Sequence, residues 1–220
     1  MLKQIILLIG PTIMIFIGLS LVHNVLITFF LFYGWLLFIP LIIVYWNKEN
    51  RNSNRIQIPL SKKSLLVGAV SGLICLITIY SFVFIFQSFV LDIPQLQQLL
   101  EEWDFSGKKV ILLVLVLALI NPILEEFYWR EFMYSRLLPK IGNVTAIMIT
   151  SIFYSLYHLI VVMETFSFPF NALAVVPVFL AGIMWAIFRY KLKSITAPII
   201  SHCLADIGIM LVYWYIIVPS

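Results

Sequence analysis

Charge is scarce in this sequence. Asp, Glu, Lys and Arg together make up 11% of the 220 residues, whereas apolar residues make up 63%. Soluble globular domains are typically about 25% charged and about 45–50% apolar, so the composition excludes an ordinary water-soluble protein. Intrinsic disorder is excluded as well, because it requires low hydrophobicity and high net charge. The apolar stretches are continuous rather than alternating, which argues against an outer-membrane β-barrel.

Cysteine is nearly absent too. The two cysteines, Cys75 and Cys203, lie inside apolar stretches, and neither has a second cysteine at the spacing of a CxxC motif. We therefore expect no disulfide and no thiolate metal site. The net charge of +4 does not point to a nucleic-acid partner.

Apolar stretches long enough to cross a membrane are abundant. A spanning helix needs about 20 such residues, and the sequence predicts an all-α, polytopic transmembrane helical bundle with about seven spans; an eighth short or re-entrant helix stays open. The predicted spans are residues 5–22, 25–46, 64–90, 109–139, 143–162, 170–188 and 195–217. In the fourth span we expect Pro122 to kink the helix, and the stretch from Pro139 to Gly142 to turn the chain.

Residues 91–109 separate the third and fourth predicted spans. Leu96, Leu99, Leu100 and Trp103 share one helical face in this otherwise polar segment. This pattern predicts an amphipathic helix in the membrane interface.

The distribution of basic residues favours a cytoplasmic N-terminus, because short cytoplasmic loops carry an excess of Lys and Arg. In that orientation all but Lys108 and Lys109 of the 14 basic residues fall on the cytoplasmic side. The largest group lies in one polar loop, residues 47–63, and consists of Lys48, Arg51, Arg55, Lys62 and Lys63.

Ionisable residues inside apolar helices cost free energy and usually mark function. They cluster in the second half of this chain, on three predicted helices, and include Glu125, Glu126, Arg130, His158, His202 and Asp206. Glu126 and Arg130 are four residues apart, as are His202 and Asp206, so each pair shares a helix face. Glu125 points about 100° away from Glu126.

The helix that carries His158 also has a polar stripe. Its members are Thr150, Ser151, Tyr154, Ser155 and His158. We expect this stripe to face the interior of the bundle rather than lipid. Counted from the turn near Pro139, Glu125 and His158 reach a similar depth, about 20 and about 24 Å along their helices.

Each of these features alone has a simpler explanation. A single intramembrane histidine commonly bonds one helix to another, and a Glu–Arg pair is commonly structural. The six together form a set that can activate water, because a carboxylate and an imidazole can remove a proton from water and return it to a leaving amine.

Three motifs in this set resemble those of the CPBP intramembrane protease family, also called Abi or CAAX-protease-like, which includes the Rce1-type prenyl-protein proteases. The family motifs EExxxR, FxxxH and HxxxN/D correspond to Glu125–Arg130, Tyr154–His158 and His202–Asp206. The resemblance covers about half of the chain. It divides the sequence into residues 1–108, the N-terminal transmembrane helices and loops, and residues 109–220, a helical core like the catalytic core of that family.

The resemblance implies an intramembrane endopeptidase. Glu125 and His158 would activate water, His202 and Asp206 would bind the oxyanion or help hold a metal, and Glu126 would complete the catalytic set with Arg130 orienting the site. If family members use a bound zinc, the ligands here would be Glu125, His158 and His202; the alternative is a glutamate-activated water without metal.

Two positions depart from the family pattern. Tyr154 replaces the usual phenylalanine, and Asp206 stands where the prenyl-protein proteases have asparagine. An ionised aspartate accepts hydrogen bonds but donates none, so orientation of His202 is the role we expect of Asp206.

The resemblance also implies partners and a location. The substrate would be a membrane-associated peptide or protein, because eukaryotic members trim prenylated CAAX proteins and many short bacterial members are linked to bacteriocin immunity or peptide processing. The small size resembles the bacterial branch, so we expect an integral protein of a bacterial plasma membrane, with its oligomeric state left open.

Two functions other than proteolysis remain compatible with the buried charges. One is a small polytopic transporter or proton-coupled carrier, although transporters commonly contain inverted repeats and none is found here. The other is a non-catalytic membrane scaffold that binds a peptide or a membrane kinase through the same cavity.

Overall fold

The computed structural model describes residues 2–46, 60–105 and 110–218. Within those ranges the chain forms eight helices and no strand, and seven of the helices are long and apolar enough to cross a membrane. The predicted all-α membrane bundle is therefore confirmed. The helices are α1 (Leu2–Leu21), α2 (Val25–Trp46), α3 (Lys62–Val90), α4 (Ile93–Glu102), α5 (Val110–Ile141), α6 (Asn143–Thr165), α7 (Phe170–Leu192) and α8 (Thr196–Ile217).

Polar caps fix the ends of several helices. The chain turns at His23, whose φ is +53°. The Oδ1 atom of the next residue, Asn24, accepts a hydrogen bond from the Ile27 N–H at the start of α2. Ser61 Oγ accepts the Ser64 N–H at the start of α3. Side chains of this kind satisfy amide donors that the first turn of a helix leaves without a partner.

The predicted amphipathic segment is helix α4. Asp92 caps its first turn by accepting the Gln95 N–H, and Leu96 is buried while Glu101 and Glu102 on the other face are exposed. Trp103, just past its end, is buried too. Lys108 and Lys109 lie outside the described residues.

Helix α5 is 32 residues long and therefore about 48 Å, which exceeds a hydrocarbon core of about 30 Å. It contains two π-helical stretches, Val116–Ile120 and Phe127–Met133. The first ends at Ile120, two residues before Pro122, the position where we expect a kink, and the Asn121 N–H bonds to the Val116 carbonyl five residues back.

The chain turns at the last residue of the stretch predicted for the turn, Pro139 to Gly142, and Pro139 itself lies inside the helix. The helix continues to Ile141 and stops at Gly142, whose φ is +75°. A proline costs a helix one hydrogen bond and some steric strain, and here the backbone reverses only at the glycine that reaches the left-handed region. The polar loop with Lys48, Arg51 and Arg55 lies outside the described residues.

The two halves of the chain pack through a close contact of α3 with α8. A Cβ atom placed on Gly72 would lie 2.7 Å from Leu204 Cδ1 and 2.9 Å from Ser201 Cα. Only a residue without a side chain permits this approach, which brings Ser201 and its neighbour His202 against the first half of the chain. Close contacts of this kind are typical of helices packed in membranes.

Candidate active site

The imidazole of His202 on α8 is the centre of the candidate site. Its Nδ1 atom donates a hydrogen bond to Glu126 Oε1 on α5 at 3.1 Å. Its Nε2 atom lies 3.8 Å from Glu125 Oε2 and 3.6 Å from Asp206 Oδ1. One ring therefore contacts three carboxylates from two helices, and all four side chains are buried.

Arg130 lies behind this centre and is fully buried. Its Nε atom is 3.1 Å from Glu126 Oε2, an ion pair one helical turn along α5, as the spacing predicted. Glu126 thus spans Arg130 and His202, one oxygen facing each. Because Arg130 is buried in the site, it does not count among the loop residues whose charge predicts the orientation.

The guanidinium group of Arg130 is otherwise surrounded by aromatic rings. Its Cζ atom lies 4.9 Å from the centroid of the Tyr154 ring and 6.0 Å from that of Trp185. Cation–π contacts of this kind partly replace the water that a buried guanidinium loses. Among the described residues, its two terminal nitrogens have no hydrogen-bond partner.

Asp206 is held by a residue that the sequence analysis missed. Asn121 Nδ2 donates a hydrogen bond to Asp206 Oδ2 at 3.2 Å, and both side chains are buried. A signal for Asn121 was present, because it is a polar residue in an apolar stretch four positions before Glu125. That spacing places Asn121 and Glu125 on the same face of α5.

His158 lies beside the His202 centre rather than inside it. Its Nδ1 atom donates to the carbonyl oxygen of Tyr154, one turn earlier in α6, at 2.9 Å. This bond leaves Nε2 as the ring nitrogen that can exchange a proton. Its ring packs against those of Tyr154 and Tyr157, with centroids 4.6 and 4.4 Å apart.

Tyr154 links the two histidines. Its hydroxyl oxygen is 3.4 Å from His202 Nε2, and its ring and backbone contact His158. The hydroxyl that distinguishes Tyr154 from a phenylalanine therefore reaches the centre of the site. The rest of the predicted polar stripe, Thr150, Ser151 and Ser155, is buried as expected.

Trp185 on α7 forms one wall of the site. Its ring stacks on that of His202 and its Nε1–H donates to Ser201 Oγ at 3.0 Å. Nothing in the sequence marks Trp185, since tryptophans are common in apolar helices. On the far side, Trp129 Nε1–H donates to the hydroxyl of Tyr157 at 3.2 Å.

The described side chains do not gather the donors that a metal ion requires. Among them, no three His, Cys, Asp or Glu side chains converge at metal-binding spacing. Of the set considered for zinc, Glu125 and His202 are in contact, whereas His158 lies beside them with its Nδ1 atom bonded to the Tyr154 carbonyl. His202 already directs both nitrogens at carboxylates. The arrangement fits proton transfer and hydrogen bonding better than zinc coordination, which usually takes four ligands in a tetrahedron.

A comparison with known protein families gives a match. Residues 107–208 match a family model described as Rce1-like, type II CAAX prenyl endopeptidase Rce1-like. Glu125, Glu126, Arg130, His158, His202 and Asp206 all fall inside the matched segment. Neither the curated proteins nor the solved structures gave a match.

Proposed function

We propose that this integral membrane protein, whose residues 107–208 match a family model described as Rce1-like, is an intramembrane endopeptidase in which Glu125 activates the attacking water. The observation that carries the proposal is the contact of one buried imidazole, His202, with three carboxylates inside a bundle of apolar helices. Placing so many ionisable groups in an apolar bundle costs free energy, and such groups usually mark a functional site.

Glu125 is the general base. Its side chain is buried, and its Oε2 atom has no hydrogen-bond partner among the described residues, so it can accept a proton from water. The resulting hydroxide attacks the carbonyl carbon of the scissile peptide bond. The π electrons of the C=O bond move onto the carbonyl oxygen, which becomes the oxyanion. A general base contributes about 10²–10⁴-fold to such a step.

His202 stabilises the oxyanion that forms. Its Nδ1–H is fixed on Glu126, and a proton on Nε2 points into the space between Glu125 and Asp206. The Tyr154 hydroxyl, 3.4 Å from Nε2, supplies a second donor at the same place. Preorganised donors of this kind are worth about 10²–10³-fold each.

Collapse of the tetrahedral intermediate breaks the C–N bond and requires a proton on the leaving amine. Glu125 holds the proton taken from water and returns it. His158 Nε2 serves as a relay, since Nδ1 is engaged with the Tyr154 carbonyl. The products are a carboxylic acid and an amine, which account for every atom of the water consumed.

The remaining members of the cluster orient these groups. Glu126 and Arg130 fix the tautomer and plane of His202 through the Nδ1 contact. Asn121 fixes Asp206, which faces Nε2. Because the described residues offer no set of three metal ligands, no step of this proposal passes through a metal.

We propose a membrane-associated peptide as substrate. The family description favours a prenylated peptide with a CAAX carboxyl terminus, and a short unprenylated membrane peptide, as in bacteriocin processing, is the second substrate to test. Both present the scissile bond to a site enclosed by apolar helices.

The test is cleavage in proteoliposomes. The purified protein is mixed with fluorescence-quenched peptides, one farnesylated and one with an apolar helix in place of the lipid, and the products are identified by mass spectrometry. The variant Glu125→Gln should be inactive. Glu131→Gln is the matched control, because Glu131 lies on the same helix but pairs with Arg189 at 2.9 Å, away from His202.

The transporter alternative makes the opposite prediction in the same vesicles. If the chain carries protons or ions and cleaves neither peptide, a pH-sensitive dye inside the liposomes will report flux that Glu125→Gln removes. Flux without cleavage would contradict the protease proposal.

A further inference from the structure

The hydroxyl of Tyr128 connects the candidate catalytic helix to the first two helices of the chain. Tyr128 lies on α5 and is fully buried. Its hydroxyl donates a hydrogen bond of 2.6 Å to the carbonyl oxygen of Leu7 on α1. The same oxygen accepts a hydrogen bond of 3.0 Å from Trp35 Nε1 on α2.

The Leu7 carbonyl is available because of Pro11. In an α-helix the carbonyl of residue 7 would bond to the N–H of residue 11, and proline has none. Pro11 lies inside α1, so it leaves the backbone carbonyl of the buried Leu7 without its partner in the helix. An acceptor of this kind needs a partner, and Tyr128 provides it from another helix.

Trp35 is held in place by Gly10. A Cβ atom on Gly10 would lie 2.0 Å from Cζ2 of the Trp35 ring, so the indole packs directly on the α1 backbone. Gly10 and Pro11 therefore act together. Gly10 leaves room for the Trp35 ring that donates to the Tyr128 hydroxyl, and Pro11 frees the Leu7 carbonyl that accepts from this hydroxyl.

This anchor lies within the turn that carries the catalytic groups. Tyr128 comes two residues after Glu126 and two before Arg130. It belongs to the π-helical stretch Phe127–Met133, and such stretches are frequent at functional sites. A helix with that wider turn can shift its register, so contacts from outside the helix decide where its side chains point.

We infer that Tyr128 is a positioning residue, and that α1 and α2, which lie outside the segment that matches the family, hold the Glu125–Glu126 turn through its hydroxyl. The inference rests on the proposed function for its consequence in catalysis. Glu126 is the link, because a shift of α5 at Tyr128 moves the Glu126 contact with His202.

The first test is kinetic. Tyr128→Phe removes only the hydroxyl and should lower kcat about 10-fold to 100-fold, since a displacement of about 1 Å can cost that much, with KM unchanged. Tyr134→Phe is the matched control; Tyr134 lies on the same helix, is buried, and donates through its hydroxyl to Asn143 Oδ1 at 2.7 Å. It should keep wild-type kcat.

The second test asks whether the effect passes through Leu7. Pro11→Ala restores the N–H that competes for the Leu7 carbonyl, so it should lower kcat in the same direction as Tyr128→Phe. The double variant should be no slower than the slower single variant. Pro40→Ala is the control, because Pro40 lies inside α2. Multiplying effects in the double variant would contradict the inference.

The third test does not depend on activity. Hydrogen–deuterium exchange of residues 121–133 in lipid nanodiscs should speed up at least tenfold in Tyr128→Phe and stay unchanged in Tyr134→Phe, with equal thermal unfolding of both. Unchanged exchange overturns the inference. Faster exchange in a protein that cleaves no peptide supports the anchor and counts only against the protease proposal.

Discussion

The indole ring of Trp185 lies flat against the imidazole of His202, with ring centroids 4.1 Å apart and an angle of 17° between the planes. The Tyr154 ring stands on edge to the same imidazole, at 6.1 Å and 82°. Together with the hydrogen bond to Glu126, these two rings fix the plane of the His202 imidazole and its rotation within that plane. A fixed donor is what stabilisation of a developing oxyanion requires.

Trp185→Leu should therefore lower kcat by about tenfold or more, because the imidazole loses the surface that fixes its plane. Trp185→Phe keeps an aromatic surface and loses only the hydrogen bond to Ser201, so its loss should be smaller. Kinetics on the cleaved peptide in proteoliposomes measure both. Equal losses in the two variants would show that stacking is not what matters.

The second prediction concerns the Glu126–Arg130 pair. Glu126→Leu leaves Arg130 buried without its carboxylate, and breaking a buried pair in this way costs about 3–5 kcal/mol. The free energy of unfolding, measured by SDS denaturation in mixed micelles, should fall by an amount of that order.

Removing both charges gives the matched comparison. The double variant with Glu126→Leu and Arg130→Met contains no uncompensated charge at this position, so it should recover part of the lost stability while remaining inactive. A double variant that is as unstable as the sum of the two single variants would rule out this account of the pair.

The third prediction distinguishes the roles of Asp206 and Asn121. Asp206→Asn keeps the shape of the side chain, so its cleavage rate should stay within about tenfold of the wild type. Asp206→Ala should lower the cleavage rate at least about 10²-fold, which is the effect of removing one positioned hydrogen-bond donor. Asn121→Ala removes only the bond to Asp206 and should fall between them. Peptide cleavage assays check the order, and an Asn121→Ala variant slower than Asp206→Ala would contradict it.

The helices could be predicted from sequence because each is an apolar stretch bounded by polar residues, turns or glycine. The contacts within a helix were also predictable, as Glu126 and Arg130 show, since four residues make one turn. Contacts between helices were not. Whether Glu125 or Glu126 meets His202 depends on how each helix is rotated about its axis, and apolar faces do not specify that rotation in a membrane.

The residues that were missed follow the same rule. Trp185 and Tyr128 matter through the rings and the backbone carbonyl they contact on other helices, and neither residue is unusual in an apolar segment. The position of the turn within the stretch Pro139 to Gly142 has another cause. Proline is a weak stop signal when the next residues can still form a helical turn, and glycine with positive φ is a stronger one.

The fourth prediction tests the close contact of α3 with α8. Gly72→Ala places a Cβ atom 2.7–2.9 Å from Leu204 and Ser201, so the helices must separate. Overpacking of this kind costs about 1–3 kcal/mol. Mixed-micelle unfolding should report the loss, and cleavage should fall because Ser201 precedes His202.

A glycine without such a neighbour provides the control. A Cβ atom on Gly34 would come no closer than 4.0 Å to Phe38, so Gly34→Ala should keep the stability and activity of the wild type. If Gly72→Ala also behaves like the wild type, the contact is looser than its geometry indicates.

The last prediction concerns orientation in the membrane. A cytoplasmic N-terminus places Lys140 and Lys191, both exposed at helix ends, on the cytoplasmic side and Glu101 on the other side. In a background with Cys75→Ala and Cys203→Ala, single cysteines at these three positions can be labelled in intact cells with a maleimide that does not cross the membrane. Only the cysteine at position 101 should react, because short cytoplasmic loops hold the basic residues. Labelling at 140 and 191 with protection at 101 would reverse the topology, and the candidate site would then have to receive its substrates from the opposite face.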